Sequence, residues 1–408
     1  MGLKKILLIV SGIVILAVPF FLSRYLHPDI CSSNDDRTGN QERREKDATP
    51  SRTGDMANGL PVQASSLRII AVGDVLLGRG VSSRIKRMNK SYASAFEEVA
   101  DLLQKGDVVF ANLEAPLTDG SRCLAPHTQG GKFIIKSPVE SIEALRFAGF
   151  NLLNLAGNHM MDYYEEGLAD TLDILDKNGM AHAGAGKDLN RARKAALIEK
   201  NGFAIGMLGY TDWADLLFKG DPAITFAAEA GKPGVAPMKR ELIREDIRNL
   251  RGKVDVLIVS LHWGVEGSSR TTAGQVDLAH ELIDSGADVI LGHHPHRFQG
   301  IEIYKGKPIL YSLGNFIFDQ NDPLARQSFI IDIELEKNAL KRISAVPVTI
   351  ADKMRVVKTT GRKASEQMHR LLSLSRGLNT TGAILQDSLV FTMDGPSSGG
   401  DVSLAEAK

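Results

Sequence analysis

Histidine, acidic and asparagine side chains collect directly after short apolar runs of the sequence. The histidines that do so, out of 10 in the chain, are His159, His262, His293, His294 and His296. Asp74 and Glu114 follow two other apolar runs, and Asn158 directly precedes the first of these histidines. Carboxylates, an amide oxygen and imidazoles, with no thiolate among them, are a ligand set for divalent metals such as Zn, Mn or Fe. These residue types predict a metal site if the fold brings them together.

The same residues favour one kind of reaction. Two metals about 3.5–4 Å apart that share a carboxylate can bind both the attacking and the leaving oxygen of a displacement at phosphorus. The Gly-Asp turn at Asp74 is a common pattern and is weak by itself. The His-x-His pattern at 294–296 is stronger, since two imidazoles are costly to bury unless they are hydrogen-bonded or bind a metal. Together these patterns indicate phosphoester chemistry.

The elements that must position these residues alternate between two kinds. Short apolar runs rich in β-branched residues occur at 67–72, 108–111, 152–156, 204–209, 256–260, 289–292 and 309–313, and helical patterns occur at 93–105, 138–148, 165–178, 239–250 and 272–285. Continuous apolar runs are typical of strands buried on both faces. Their alternation with helices predicts a layered α/β domain. Such domains place their sites at the carboxyl ends of the strands.

The pattern changes after residue 326. Apolar and polar residues alternate from Phe329 to Glu336, and a Lys337-Asn338 turn leads to a second run at 343–350. This predicts an antiparallel hairpin, followed by a helix at 365–375. We therefore expect one large domain at 67–325, a C-terminal hairpin and helix extension of it at 326–394, and a disordered tail at 395–408.

The first 26 residues form a predicted membrane anchor. In the run 6–22 only Ser11, Gly12 and Pro19 are not strongly apolar. As a helix this run spans about 26 Å, close to the ~30 Å hydrocarbon core of a bilayer. No small-x-small cleavage site follows, which favours an uncleaved single-pass anchor over a cleaved signal or a buried helix. The two lysines before the run favour a cytoplasmic N-terminus and an external main domain, although Arg24 on the far side weakens this bias.

A polar segment connects this anchor to the domain. From Cys31 to Gly59 the chain has no Leu, Ile, Val or aromatic residue, so residues 27–66 are interpreted as a disordered tether. The chain has 2 cysteines, Cys31 and Cys123. A disulfide between them and two unpaired thiols both remain open.

Composition excludes several classes of protein. The 408 residues are 43% hydrophobic, which excludes overall disorder. The 49 basic and 49 acidic residues give a formal net charge of +0, so a basic nucleic-acid-binding surface is not expected.

Six blocks of the sequence carry a resemblance to a known family. They are AVGDVLLG at 71–78, FANLEAPL at 110–117, LAGNHMMDY at 155–163, SLHWGVE at 260–266, GHHPH at 292–296 and YSLGNF at 311–316. With them, residues 67 to about 320 resemble the capsule-biosynthesis CapA (poly-γ-glutamate synthesis) family of the calcineurin-like metallophosphoesterase superfamily. The resemblance implies an α/β fold of four layers, an α/β/β/α sandwich, with the site at one edge.

The resemblance also implies roles for individual residues. It makes Asp74, Glu114, Asn158, His262, His294 and His296 the metal ligands, with Glu114 in the place of a bridging Asp and with Asp74 and His296 at the first metal. His159 corresponds to a histidine that binds no metal, contacts the substrate and protonates a leaving oxygen, and Asp162 would orient it. The residues expected to line the substrate pocket are Asn112, Glu266 and Asn315. His293 receives no role and is interpreted as a residue at the surface or behind the ligands.

Two departures from the superfamily pattern concern the first metal. The usual histidine two residues after the first Asp is replaced by Leu76, which cannot bind a metal. Glu114 is one methylene longer than the usual bridging Asp. We therefore leave open whether one or two ions (Mn, Zn or Fe) bind, and whether phosphoester hydrolysis is retained.

Three functional hypotheses follow. In the first, the protein is a membrane-anchored, externally facing accessory of capsule or poly-γ-glutamate biosynthesis or export, with an anionic polymer and membrane-bound synthetase subunits as partners. In the second, it is a metal-dependent phosphoesterase acting on an extracytoplasmic phosphoester. In the third, it is a catalytically inert interaction scaffold.

Overall fold

The computed structural model describes residues 66–124, 133–214, 225–336 and 339–392. The predicted anchor, nearly all of the tether, the turn at 337–338 and the tail at 395–408 lie outside these ranges. Within them, none of the helices combines the length and the apolar character needed to cross a bilayer. Cys123 is buried and is not a free thiol; Cys31 lies outside the described ranges, so the pairing of the two cysteines stays open.

The described residues form eighteen strands and eight α-helices. The strands are β1 (Ser66–Val75), β2 (Val108–Leu113), β3 (Leu152–Asn154), β4 (Ala181–Ala183), β5 (Ala185–Gly186), β6 (Ala196–Lys200), β7 (Phe203–Thr211), β8 (Gly234–Val235), β9 (Val256–His262), β10 (Val289–His293), β11 (Ile301–Tyr304), β12 (Lys307–Leu310), β13 (Asn315–Ile317), β14 (Gln327–Glu336), β15 (Ala339–Ala351), β16 (Arg355–Lys358), β17 (Gly382–Leu385) and β18 (Ser388–Phe391). The helices are α1 (Arg79–Arg87), α2 (Ala100–Leu103), α3 (Ile142–Ala148), α4 (Tyr164–Lys177), α5 (Leu189–Ala192), α6 (Arg240–Arg251), α7 (Ala273–Asp284) and α8 (Gly361–Arg376).

Two mixed sheets dominate the fold. The first has ten strands, in the order β17-β18-β15-β14-β1-β2-β3-β4, with β13 paired to β1 and β16 to β15. The second has six strands, in the order β11-β12-β10-β9-β7-β6. The pairs β1–β2 and β2–β3 are parallel, as are β7–β9 and β9–β10. In each sheet the carboxyl ends of these neighbouring strands therefore meet at one edge.

Three apolar clusters explain the layering. One cluster joins the facing surfaces of both sheets, for example Ile69 and Phe110 of the first with Ile258 and Leu291 of the second. A second cluster packs α1, α3 and α4 onto the other face of the first sheet, and a third packs α6 and α7 onto the other face of the second. Strands that contribute to two clusters are buried on both faces, which is why they are continuous apolar runs in the sequence.

Most predicted elements lie where the sequence indicated, but two differ. The helix expected at 93–105 is a 3-10 turn at Tyr92–Ala95 followed by the short α2. Phe96 and Val99 are both fully buried, and i→i−3 hydrogen bonds connect the turns between them, because packing prevails over helix propensity here. The run at 309–313 leaves the strand after Leu310, the last residue of β12. The C-terminal hairpin joins the first sheet, since β14 pairs with β1.

Candidate metal centre

The candidate site lies where the carboxyl ends of β1, β2, β9 and β10 meet. Asp74 is the penultimate residue of β1, and Glu114 directly follows β2. His262 ends β9, while His294 and His296 follow β10. The first sheet therefore supplies the carboxylates, and the second supplies the imidazoles.

Close packing of backbone fixes Asp74 within its sheet. Asp74 pairs with Asn112 of β2 on one side and with Asn315 of β13 on the other. A Cβ on the preceding Gly73 would lie 1.8 Å from the carbonyl oxygen of Gly314, so only glycine permits this approach. The result is that β13 lies directly beside the end of β1.

The first group of side chains surrounds the two carboxylates. Asn112 donates from Nδ2 to Asp74 Oδ1 and to Glu114 Oε2, both at 2.9 Å. His296 Nδ1 lies 3.2 Å from Asp74 Oδ2, and its Nε2 lies 3.7 Å from Glu114 Oε1. His296 Nδ1 also donates to Asn315 Oδ1 at 2.9 Å. This group therefore consists of two buried carboxylates and one imidazole, supported by two buried amides.

The second group consists of Asn158, His262 and His294. His262 Nε2 lies 2.9 Å from Asn158 Oδ1 and 3.2 Å from His294 Nδ1. The ring of Trp213 packs on His294, with 4.5 Å between the ring centroids. The two groups adjoin, because the ring centroids of His294 and His296 are 6.1 Å apart.

The loop that carries two of the histidines is strained. His294 has φ 94° and His296 has φ 57°, on either side of Pro295. Positive φ is unfavourable for residues with a Cβ, and such strain is concentrated at functional sites. The conformation aims both imidazoles back over the ends of the two sheets.

His159 and Asp162 form a separate pair beside these groups. His159 Nδ1 lies 2.8 Å from Asp162 Oδ2, which also accepts the backbone N–H of Ile135 at 2.8 Å. The His159 side chain retains 17% exposure, whereas that of Asp162 retains 2%. Burial lowers the pKa of His159, but the charge and contact of Asp162 outweigh it and raise the pKa. His159 is therefore an oriented, partly open imidazole that favours the protonated form.

The pKa values of the two carboxylates are shifted in opposite directions. Burial and the neighbouring charge of Asp74 raise the pKa of Glu114 to about 8. Burial acts in the same direction on Asp74, but the imidazoles of His293 and His296 hold its pKa below the usual value. Burial lowers the pKa of His296, yet Asp74 and Glu114 raise it to about 9. Asp74 and His296 thus form an ion pair.

The imidazoles of the second group have lowered pKa values, in contrast to His296. Burial, followed by the charge of His296, lowers the pKa of His294 to about 3. Burial and the adjacent His294 lower the pKa of His262 well below its usual value. Both rings are therefore neutral near pH 7, which is the form that binds metals.

The donor atoms fit a divalent metal in two respects. Bonds of about 2.0–2.2 Å from N and O ligands to Zn place neighbouring ligand atoms about 3 Å apart, and the contacts above range from 2.9 to 3.7 Å. Buried polar atoms without a hydrogen-bond partner are concentrated here: Asp74 Oδ2, Glu114 Oε1, His262 Nδ1, both ring nitrogens of His293, and His294 Nε2. Such atoms are costly unless something binds them.

The ligand roles nevertheless stay a prediction. In the part of the chain that the structure describes, no three His, Cys, Asp or Glu side chains already have a metal-holding arrangement. The donors instead contact one another directly. Binding of an ion would exchange these contacts for metal bonds.

The residues expected to line the pocket divide into two kinds. Glu266 is exposed and lines a cavity of about 270 Å³ beside His296, together with Arg297 and Gln320. Asn112 and Asn315 are 0% exposed and lie behind the carboxylates and His296, so their position is that of supporting residues and not of pocket lining.

The structure adds three residues to the site. Asn154 donates to Asn112 Oδ1 at 2.8 Å and so extends the buried amide chain. Trp213 covers His294. His293, expected at the surface or behind the ligands, is 0% exposed and lies 3.3 Å from Asp74. A polar residue within a buried strand was the available signal for Asn154 and His293; no sequence pattern pointed to Trp213.

Comparisons with known proteins agree on one family. The family model described as bacterial capsule synthesis protein PGA_cap matches residues 68–320. The PGA biosynthesis protein CapA of Bacillus subtilis (strain 168) is 36% identical over 281 residues, which are 68% of this chain and 70% of that protein. The capsule biosynthesis protein CapA of Bacillus anthracis is 31% identical over 293 residues, which are 70% of this chain and 68% of that protein.

A solved structure also matches. It is a putative 5'-nucleotidase from Staphylococcus aureus in complex with alpha-ketoglutarate, which is 14% identical, with a TM-score of 0.43 over 75% of this chain and 58% of that one. At this TM-score the family assignment depends on the sequence relatives.

Proposed function

Because the chain belongs to the bacterial capsule synthesis protein family PGA_cap, a part of the metallophosphoesterase superfamily, we propose that it is a membrane-anchored, externally facing accessory of capsule or poly-γ-glutamate biosynthesis or export. We further propose that it works through a metal-dependent site of phosphoesterase type. Two relatives are named for this process, and a third is named a probable polyglutamine synthesis accessory protein.

One observation carries the proposal of a metal site. The six residues proposed as ligands come from two sheets, yet their donor atoms form two adjoining sets of contacts at one edge. The longest of the contacts within a group is 3.7 Å, between His296 and Glu114, and between the groups the ring centroids of His294 and His296 are 6.1 Å apart. Because unpaired buried polar atoms collect at the same place, packing alone does not account for this set.

The chemistry of the site follows from its side chains. Asp74, Glu114 and His296 would hold one ion, and Asn158, His262 and His294 a second. A divalent metal bound there supplies Lewis-acid polarisation of a phosphoryl oxygen. His159, held by Asp162, would donate a proton to a leaving oxygen. The cavity beside His296 offers Glu266 and Arg297 to the rest of a substrate.

The layering and the location complete the proposal. Helices on the outer faces of two stacked sheets support assignment to the four-layer α/β/β/α sandwich of metallophosphoesterases. The apolar run at 6–22 supports a single-pass anchor with a cytoplasmic N-terminus. The proposed partners are the membrane, an anionic polymer and membrane-bound synthetase subunits.

A deletion strain tests the cellular role. Deleting the gene should reduce surface glutamate polymer or other capsule material, and the wild-type gene should restore it. We expect His294→Ala to fail in restoration and His369→Ala to succeed, since His369 is exposed and bonds only within its own helix. Unchanged surface material in the deletion strain would exclude the proposed role.

A second assay separates hydrolysis from scaffolding. The geometry of His159 and Asp162 favours turnover, so metal-loaded full-length protein should hydrolyse members of a panel of phosphomonoesters and phosphodiesters. His159→Gln should lower kcat by about 10²-fold or more while leaving metal content unchanged. Stoichiometric metal binding without turnover would exclude the phosphoesterase, and absence of both would favour the inert scaffold.

A further inference from the structure

Position 76 cannot take part in the site. The side chain of Leu76 is fully buried in a small apolar cluster with Ala115, Ile135, Phe318 and Ile350. It belongs to the interior behind the strand ends and carries no donor atom. The first group of donors thus consists of Asp74, Glu114 and His296, one imidazole fewer than the second group.

His293 lies where an additional donor is needed. It is the last residue of β10 and pairs with His262 of β9. Its neighbour two residues earlier, Leu291, faces the cluster between the two sheets, and side chains two apart share a face of a strand. The His293 ring accordingly packs near Phe110 of the opposite sheet, with centroids 5.5 Å apart, and its Nδ1 lies 3.3 Å from Asp74 Oδ1.

A purely structural role does not explain this histidine. Its side chain has 0% exposure, its Nδ1 lies 3.3 Å from Asp74 Oδ1, and its Nε2 has no hydrogen-bond partner. A buried polar group left without a partner costs about 1–3 kcal/mol. Asp74 Oδ1 also accepts a hydrogen bond from Asn112, so His293 is not the sole donor near this oxygen. An apolar residue would fill the same space beside Phe110 without that cost.

We propose that His293 is a metal ligand of the first group, supplying the imidazole that position 76 lacks. The inference rests on the proposed metal site. The first group then has two carboxylates, from Asp74 and Glu114, and two imidazoles, from His293 and His296. Both groups then have enough O and N donors for an ion each, so the protein binds two divalent ions.

Metal binding by the full-length protein tests this ligand directly. After chelation and dialysis against Zn, the wild type should hold two equivalents, and His293→Gln should lose one or bind it at least about tenfold more weakly. His369→Gln is the matched control and should retain both equivalents. If His293→Gln keeps wild-type stoichiometry and affinity while His296→Gln loses an ion, the ligand role of His293 is overturned and the metal site stands. If the wild type binds no metal, the proposed site itself fails.

A second measurement is made on the wild-type protein, and a variant serves only to assign a resonance. In wild-type protein with ¹⁵N-labelled histidine, titration with Zn should shift a ring nitrogen of His293 together with those of His262, His294 and His296. The His293 resonance is assigned by its absence from His293→Gln. A His293 resonance that stays at its metal-free position, while the other three shift, would contradict the proposal.

A third test adds a histidine at position 76, where the superfamily usually has one. Leu76→His in the His293→Gln background should not restore the lost equivalent, because residue 76 faces an apolar cluster and not Asp74. Recovery of two equivalents in the double variant would overturn the statement that position 76 cannot take part in the site.

Discussion

Asn112 holds the two carboxylates of the site together. A single Nδ2 group donates to both Asp74 and Glu114, and the residue is completely buried. Without this amide, Asp74 Oδ1 and Glu114 Oε2 would each lose the hydrogen bond that they accept from Asn112. The residue is therefore part of the structural support of the site, although its sequence position suggested contact with a substrate.

We predict that Asn112→Ala lowers the free energy of unfolding by about 1–3 kcal/mol, because it leaves buried acceptors unpaired. Urea denaturation followed by circular dichroism measures the change. Asn249→Ala, at an exposed position of α6, is the control and should be neutral or slightly stabilising. Equal midpoints for wild type and Asn112→Ala would contradict the role of this amide.

The proton on His296 makes stability depend on pH. Its pKa is raised to about 9 in the folded protein, against about 6.5 in the unfolded chain. The folded state binds this proton more tightly, so the stabilisation is complete below pH 6.5 and is lost as pH rises through 9. Glu114, raised to about 8, acts in the same direction. His262 and His294, whose pKa values are lowered, act in the opposite direction, but only weakly above pH 6.5, where these rings in the unfolded chain lose their remaining protons.

We therefore predict that chelator-treated protein loses at least about 1 kcal/mol of unfolding free energy between pH 6.5 and 9. Urea denaturation at the two pH values measures it. The difference should become smaller in His296→Gln and should be unchanged in His369→Gln. A wild-type protein equally stable at both pH values would refute the assignment of the proton.

At the scale of elements, the approach of β13 to the end of β1 positions the first group. The Asp74 N–H donates to the Gly314 carbonyl oxygen at 2.8 Å, and Gly73 leaves room for that oxygen. Asn315 then lies beside Asp74, within reach of His296. Three segments distant in sequence thus depend on one close backbone contact.

Gly73→Ala should destabilise the protein by more than about 2 kcal/mol, because its Cβ would overlap the Gly314 carbonyl and push the strands apart. The measurements are the thermal unfolding midpoint and the metal content of the folded fraction. Gly274→Ala in α7, where a Cβ meets nothing within 4 Å, should be neutral or stabilising. If the two variants melt alike, β1 and β13 do not need this contact.

The strand ends were predictable from sequence, and the supporting residues were not. β1, β2, β9 and β10 are buried on both faces, so each is a continuous apolar run whose end shows where the polar residues begin. The positions of Asn112, Asn315 and His293 depend instead on register between segments far apart in sequence. Register is set by tertiary pairing and leaves no local pattern. The helix expected at 93–105 failed for a related reason, because distant aromatic rings pack on Phe96.

At the scale of the molecule, the C-terminal extension is a structural part of the site-bearing sheet. β14 pairs with β1 from Ser66 to Ala71, and β15 continues the sheet beyond it. The hairpin also supplies Phe329, Ile331 and Ile333 to the core between the sheets. The strand that carries Asp74 would be an edge strand over this stretch without its C-terminal partner.

Truncation after residue 325 should therefore prevent folding of the whole domain, since it exposes apolar core and one long edge of β1. The truncated and full-length chains are compared by their solubility, their circular dichroism and the amount of metal that they bind. A truncated chain that stays soluble, cooperative in unfolding and able to bind metal would show that residues 67–325 are sufficient.

Because the proposed ligands are divided between two sheets, they also become available at different times during synthesis of the chain. A ribosome releases Asp74, Glu114 and Asn158 long before His262, His294 and His296, so a growing chain at first holds only half of the proposed ligands. Strand β1 in turn waits for β14, which is synthesised later still. At the proposed site, metal uptake would therefore follow synthesis of the whole domain. In that case the metal supply of the compartment in which the chain finishes folding, more than the preference of the ligands, would decide which ion binds.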